Sequence, residues 1–312
     1  MSTVSHFSYL SADGETKIHA VEWTGDTPVI AVLQIAHGMQ EFIDRYDHFA
    51  RWMADRGFVV VGNDHLGHGA SIKSEEDFGF FASKAPDLTV IRDMRSLHHK
   101  YQEKYPGVPY FLLGHSMGSF LARQYLCLYG KELDGAIISG TAYHSGAEAD
   151  AALLLCKLQA RQHGWKYRSP ILSKMTTGGF NKRFEPARTI ADWLSRDPKV
   201  ADAYIADRRT QFSFTLNGYV GLFRSLKYLA DTAHLKRIPK SLPVLFVAGE
   251  MDPVGNFGAG VKRVVVQLRS LGMDHIQCHL YPNDRHEILN ELDKMEVYED
   301  IRKWITDCIA AH

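Results

Sequence analysis

Gly114-His115-Ser116-Met117-Gly118 stands between two apolar stretches, "VPYFLL" before it and "SFLARQYLCLYG" after it. A solvated loop has no use for apolar shoulders, and a buried strand has no use for a serine. The pattern G-x-S-x-G predicts a strand that turns sharply into a helix, with glycines where the two backbones crowd and the serine standing out at the bend. The bend places Ser116 at a helix N-terminus, where backbone N–H groups and the helix dipole favour developing negative charge.

The rest of the chain fits such a bend into a layered α/β fold. Short strands flank an Asp13-Gly14 turn, a hairpin signal. Continuous apolar runs follow in "PVIAVLQIAHG", "FVVVGN", "VPYFLLGH", "LDGAIISGTA" and "LPVLFVAGEMDP", as expected of parallel strands covered on both faces. A shorter strand signal lies in "HIQCHLYP". Helical spacing separates the strands in "RYDHFARWMADRG", "DLTVIRDMRSLHHKYQEKY", "VKRVVVQLRSLG" and "EILNELDKMEVYEDIRKWI". The alternation predicts a mostly parallel central sheet with helices on both faces. From Tyr143 to about Leu235 the rhythm gives way to amphipathic helical stretches. We therefore expect a core domain of residues 1–142 and 236–312, with a helical cap inserted at 143–235.

At 312 residues the chain can bury a large core without staples. Its zero formal net charge gives no general attraction to nucleic acid. Cys127, Cys156, Cys278 and Cys308 form no CxxC pair and no metal spacing with histidine, and they read as free thiols. The N-terminal stretch has no basic-then-apolar leader pattern, and no apolar run reaches about 18 residues. The expectation is a cytoplasmic, non-spanning protein.

A serine hydroxyl becomes nucleophilic only when a base takes its proton, so a histidine oriented by a carboxylate is required. In a G-x-S-x-G sheet fold the order is serine, acid, histidine. Asp252 follows the strand ending at Gly249 and is the preferred acid, with Glu250 as the alternative. His286 falls between the last strand and the last helix, whereas His275 and His279 fall within the strand signal. Asp284 is too near His286 in sequence to orient it from a separate loop. The oxyanion formed on attack needs two donors: the backbone N–H of Met117, and that of Met39 in the "AHGMQE" loop. Glu41, Arg45 and Tyr46 are expected to fix that loop.

These pieces resemble the monoacylglycerol lipase and lysophospholipase branch of the α/β-hydrolases, often labelled serine aminopeptidase-like. The matching stretches are "HGMQEFIDRY", "NDHLGHGAS", "GHSMGS", "AGEMDPVG" and "RHEILNE". The resemblance implies an α/β-hydrolase fold, a triad of Ser116, Asp252 and His286, oxyanion donors at Met39 and Met117, and a cap over an acyl pocket. Ser119 departs from it, standing where relatives often carry glycine.

The expected function is hydrolysis of carboxylic esters of monoacyl lipids, monoacylglycerol or lysophospholipid, through an acylated serine. Thioester hydrolysis remains open on the same triad. A peptidase would need carboxylates in the cap to hold a free amine, and a ligand-binding protein on an inactive scaffold would not need all these groups. No cofactor is expected, since "GNDHLGHG" lacks dinucleotide-binding spacing. Asp64, His65 and His68 read as a structural turn rather than a metal site. Between Lys157 and Arg209 twelve Lys or Arg face five Asp or Glu; this excess suits an anionic lipid surface, and solvated helix faces explain it as well. Leu153, Leu154, Leu155, Ile171, Leu172, Phe180, Phe184, Phe212, Phe214 and Phe223 are the candidates to line a lipid slot. The partner is a small acyl ester, with no nucleic acid, and the sequence leaves the oligomeric state open.

Overall fold

The N-terminal hairpin forms around the Asp13-Gly14 turn. β1 (Thr3–Leu10) and β2 (Lys17–Thr24) pair antiparallel with Leu10 opposite Lys17. The Asp13 carboxylate accepts the N–H groups of Glu15 and Thr16, so the turn is held by its own side chain. The computed structural model describes residues 1–311.

Beyond the hairpin the chain alternates β3 (Ala31–Ala36), α1 (Asp47–Ala54), β4 (Phe58–Asn63), α2 (Pro86–Lys104), β5 (Tyr110–His115), α3 (Met117–Tyr129) and β6 (Gly135–Ser139). It then leaves the sheet for α4 (Gly146–His163), α5 (Pro170–Thr176), α6 (Pro198–Ala206), α7 (Leu216–Ala230) and α8 (Thr232–Leu235). It returns through β7 (Val244–Gly249), α9 (Ala259–Ser270), β8 (Ile276–Tyr281) and α10 (Lys294–Ala310). The eight strands form one sheet in the order β1-β2-β4-β3-β5-β6-β7-β8. Pairing is parallel from β4 through β8 and antiparallel only where β1 and β2 extend one edge.

Side-chain alternation along the strands divides the core. Leu112, Ala136 and Ile138 face a cluster with Val90 and Met94 of α2, Leu121 of α3 and Val264 of α9. Phe111, Leu113 and Ile137 face Phe49 and Met53 of α1 and Tyr298 and Ile301 of α10. Every residue of β3, β4, β5, β6 and β7 is buried, which is why these strands read as unbroken apolar runs. β8 lies at the edge and is half open, leaving Cys278 exposed.

One feature departs from the sequence pattern. The last helix begins at Lys294 and not near Glu287, because Glu287 to Asn290 form a single tight turn engaged with other parts of the chain. The stretch between β6 and β7 packs in part on the sheet core. Leu216, Tyr219 and Leu226 of α7 join the same apolar cluster as Val90 and Met94, while only a small cluster around Ala191, Leu194 and Ala201 stands apart. Among the described residues no helix is long and apolar enough to cross a membrane.

Candidate active site

The β5–α3 bend has the geometry its glycines require. Ser116 takes φ +53° and ψ −120°, a left-handed conformation strained for a residue with a side chain. Its N–H donates to the Ser139 carbonyl at 3.0 Å, anchoring the bend to β6. A Cβ on Gly118 would lie 2.5 Å from the His37 carbonyl oxygen and closer still to that of Ala36, and one on Gly114 would lie 2.7 Å from the Ala122 Cβ. Both glycines are therefore needed for close approach. Ser119 is fully buried, and its hydroxyl has no partner among the described residues.

Loops after β3, β7 and β8 bring the other groups to the same edge of the sheet, beyond the carboxyl ends of its parallel strands. The N–H groups of Met39 and Met117 have no protein acceptor among the described residues. The loop holding Met39 is tightly fixed. His37 donates through Nδ1 to the Gly38 carbonyl at 2.8 Å and accepts the His65 N–H through Nε2 at 2.9 Å. Burial, with His65 and His68 alongside, holds this imidazole well below its usual pKa, so it stays neutral and keeps that tautomer.

Glu41 accepts the Gly38 N–H, the Tyr46 hydroxyl at 2.9 Å and the Arg45 guanidinium at 2.9 Å. Arg45 continues as a two-pronged pair to Glu287, at 2.7 and 2.8 Å. Glu287 adjoins His286, so this buried chain ties the Met39 loop to the His286 loop. Glu41, Arg45 and Tyr46 were legible as loop-fixing residues. The role of Glu287 was not, because its partner lies at the other end of the chain.

Nδ1 of His286 lies 3.0 Å from Oδ1 of Asp252, and both side chains are buried. Neither His286 Nδ1 nor Asp252 Oδ2 makes a hydrogen bond among the described residues. Asp252 accepts the Val254 N–H at 2.8 Å, which fixes its carboxylate. Burial alone pushes the His286 pKa down, but the Asp252 carboxylate outweighs it and the net position is above the ordinary histidine value. Rings of His115 and Trp193 flank the imidazole, with centroids at 4.6 and 5.0 Å. Glu250 is exposed, and His279 pairs with Asp300 at 3.2 Å. Neither lines the cavity described next.

Ser116 and His286 open on one cavity of about 500 Å³. Its polar lining includes Glu41, Arg45, Tyr204 and Glu287, and its apolar lining includes Phe120, Ala152 of α4, and Leu222 and Leu226 of α7. Of the apolar residues singled out from the sequence, Phe180 and Phe223 line this cavity. Leu153, Leu172 and Phe214 pack in the core, while Leu154 and Ile171 face outward.

Asp64 accepts the N–H groups of Ile43 and Ala70, both at 2.8 Å, and pairs with His19 at 2.9 Å, so protein partners already hold it. Burial drives His65 to about 3 and His68 to about 4, leaving both neutral. The carboxylates of Asp284, Glu291 and Asp293 lie within 4.8 Å of one another. The cation among them is the Arg196 guanidinium.

The family described as serine aminopeptidase, S33, matches residues 27–293. The chain belongs to that family of α/β-hydrolases. The S33 chain is 28% identical to a monoacylglycerol lipase of Mycolicibacterium smegmatis, over 97% of this chain and 98% of the relative. It is 32% identical to a monoglyceride lipase of Rattus norvegicus, over 96% and 90% respectively. A solved thermostable carboxyl esterase of Bacillus coagulans superimposes with a TM-score of 0.91 at 30% identity, covering 98% of this chain and 99% of that one. Together these relatives support an esterase or lipase of the monoglyceride lipase branch.

Proposed function

We propose that this S33 hydrolase cleaves carboxylic esters of monoacyl lipids, monoacylglycerols or lysophospholipids, through an acyl-enzyme on Ser116. His286 takes the hydroxyl proton as Ser116 attacks the ester carbonyl, and Asp252 orients and stabilises the resulting imidazolium. The N–H groups of Met39 and Met117 receive the oxyanion. Collapse of the tetrahedral species breaks the ester C–O bond, and His286 returns its proton to the departing alcohol. Water, deprotonated by the same imidazole, then releases the fatty acid and regenerates Ser116.

One observation carries this reading. A strained serine at a helix N-terminus shares a mostly apolar cavity with a histidine set beside a buried aspartate. Residues 143–235 act as the cap, roofing an acyl slot above the core of residues 1–142 and 236–312. Apolar burial of about 0.8 kcal/mol per methylene would make acyl length matter. Leu154 and Leu158 of α4 and Ile171 and Met175 of α5 are exposed, and Met175 also lines the cavity. With Lys157, Arg161 and Lys174 nearby in sequence, they suit docking on an anionic lipid surface. Four free thiols fit a reducing, cytoplasmic setting.

The peptidase alternative is weaker. Glu41 and Glu287 are paired to Arg45, and Glu148 caps its own helix through Ser145, so none stands free to hold a substrate ammonium. The deciding experiment combines fluorophosphonate labelling of wild type and Ser116→Ala with hydrolysis of monoacylglycerols, lysophospholipids, thioesters and aminoacyl amides. Labelled wild type, unlabelled mutant and preferred cleavage of long-chain monoacyl esters are expected. An unlabelled wild type, or turnover confined to aminoacyl amides, would overturn the reading.

A further inference from the structure

One arginine in the stretch between β6 and β7 faces three carboxylates at once. Arg196, just ahead of α6, pairs through Nη2 with Asp284 and, at 2.6 Å, with Asp293, while its Nε lies 3.1 Å from Glu291. All three acids belong to the loop between β8 and α10, the loop that carries His286. Asp284 and Glu291 are fully buried. Without a cation among them, three carboxylates this close would repel and spread the loop. Burial, with Glu291 and Asp293 beside it, already raises Asp284 to about 7.

Main-chain bonds continue the join around the guanidinium. The Glu287 N–H donates to the Leu194 carbonyl at 2.7 Å, and the Ser195 hydroxyl donates to the Asn290 carbonyl at 3.2 Å. The N–H groups of Arg196 and Arg285 converge on Oε1 of Glu291 at 3.0 and 2.9 Å. Arg285 donates in return to the carbonyls of Asp192 and Ser195. Between these anchors Trp193 rests its ring against the His286 imidazole. On the opposite side the Asp284 carbonyl accepts the Met251 N–H at 2.8 Å, next to Asp252. The guanidinium therefore joins the inserted segment to the loop bearing the imidazole, and through Asp284 to the turn bearing its carboxylate.

We propose that Arg196 is a positioning residue for His286, setting the loop that registers the imidazole against Ser116 and Asp252. The inference rests on His286 being the general base. A displacement of about 1 Å in such a group is enough to cost roughly 100-fold in rate.

Steady-state hydrolysis of a short p-nitrophenyl ester and the rate of fluorophosphonate labelling test this. Each variant is assayed well below its own melting temperature. Arg196→Gln is expected to lower kcat by about 10- to 100-fold with KM within about twofold, and to slow labelling by the same factor. Arg196→Lys, which keeps a cation among the carboxylates, should stay within about fivefold of wild-type kcat. In a His286→Ala background Arg196→Gln should cost nothing further, because its effect passes through the missing imidazole. An unchanged kcat in Arg196→Gln, a change in KM alone, or a further tenfold loss in the His286→Ala background would overturn the proposal. If Arg196→Gln does not fold, Asp293→Asn at the exposed rim of the cluster replaces it. That variant should lower kcat about three- to tenfold, and wild-type kcat there overturns the proposal. A His286→Ala enzyme as fast as wild type overturns the general-base reading itself, whatever the Arg196 variants do.

Discussion

A Cβ on Gly118 would stand 2.5 Å from the carbonyl oxygen of His37, so the helix bearing Met117 and the loop bearing Met39 touch backbone to backbone. Neither side can yield, because β3 and β5 are paired directly from Val32 opposite Tyr110 to Ala36 opposite Gly114. Gly118→Ala is expected to destabilise the fold by about 3 kcal/mol or more, as overpacking against rigid backbone does. Urea unfolding of the purified variant measures it, and a loss below about 1 kcal/mol would show that the loop gives way.

Asp252→Asn should reduce kcat by about 10⁴-fold, since the imidazole would lose the carboxylate that orients it and stabilises its charge. Glu250→Gln should stay within about twofold of wild type, because Glu250 is exposed outside the cavity. Ester hydrolysis by the two variants, measured side by side, separates the preferred acid from the alternative.

The pH profile follows from the same pair. General-base action needs neutral His286, so kcat/KM should fall as pH drops through the histidine pKa, which lies above the ordinary 6.5. Exchanging Asp252 for asparagine removes the carboxylate that raises this pKa, and the acid limb of the residual activity should move to lower pH. A limb that stays in place would mean that another group titrates there.

Fold, strands and chemistry were not equally legible. Each central strand is covered on both faces, so an apolar run such as "VLFVAG" announces it without long-range information. The glycines of the β5–α3 bend were legible because backbone crowding admits no other residue. Arg196 was not legible. In sequence it belongs to a run of surplus positive charge that looks like a solvated face, and its acidic partners lie near the other end of the chain. Lys166 pairs with Asp77 at 2.8 Å and Arg208 pairs with Glu75, so part of that surplus meets acids outside the run. The start of α10 was misplaced for a related reason. Glu287 and Glu291 have helical spacing, but their side chains are drawn to Arg45 and Arg196.

On the proposed lipid-ester reading, added bulk on the cavity's apolar lining should shorten the preferred acyl chain. Ala152→Phe, on α4, is expected to lower kcat/KM for long-chain monoacylglycerols by about fourfold for each methylene displaced, equivalent to about 0.8 kcal/mol. Short esters should be little affected. A series of acyl lengths assayed with both enzymes gives the comparison.

Ser119→Ala removes a buried hydroxyl that has no partner among the described residues. The variant should be more stable than wild type by about 1 kcal/mol, the lower end of the penalty for an unsatisfied buried polar group. A melting temperature below that of wild type would mean that the hydroxyl is in fact satisfied.

Because α7 belongs to the stretch between β6 and β7 but packs on α2 and α3 as well as on α4, deleting that stretch would also strip one wall from the core. A shortened chain splicing Ala142 to Lys236 would leave the face of α2 that meets α7 open to water. The whole excursion cannot be discarded without rebuilding the interior it completes.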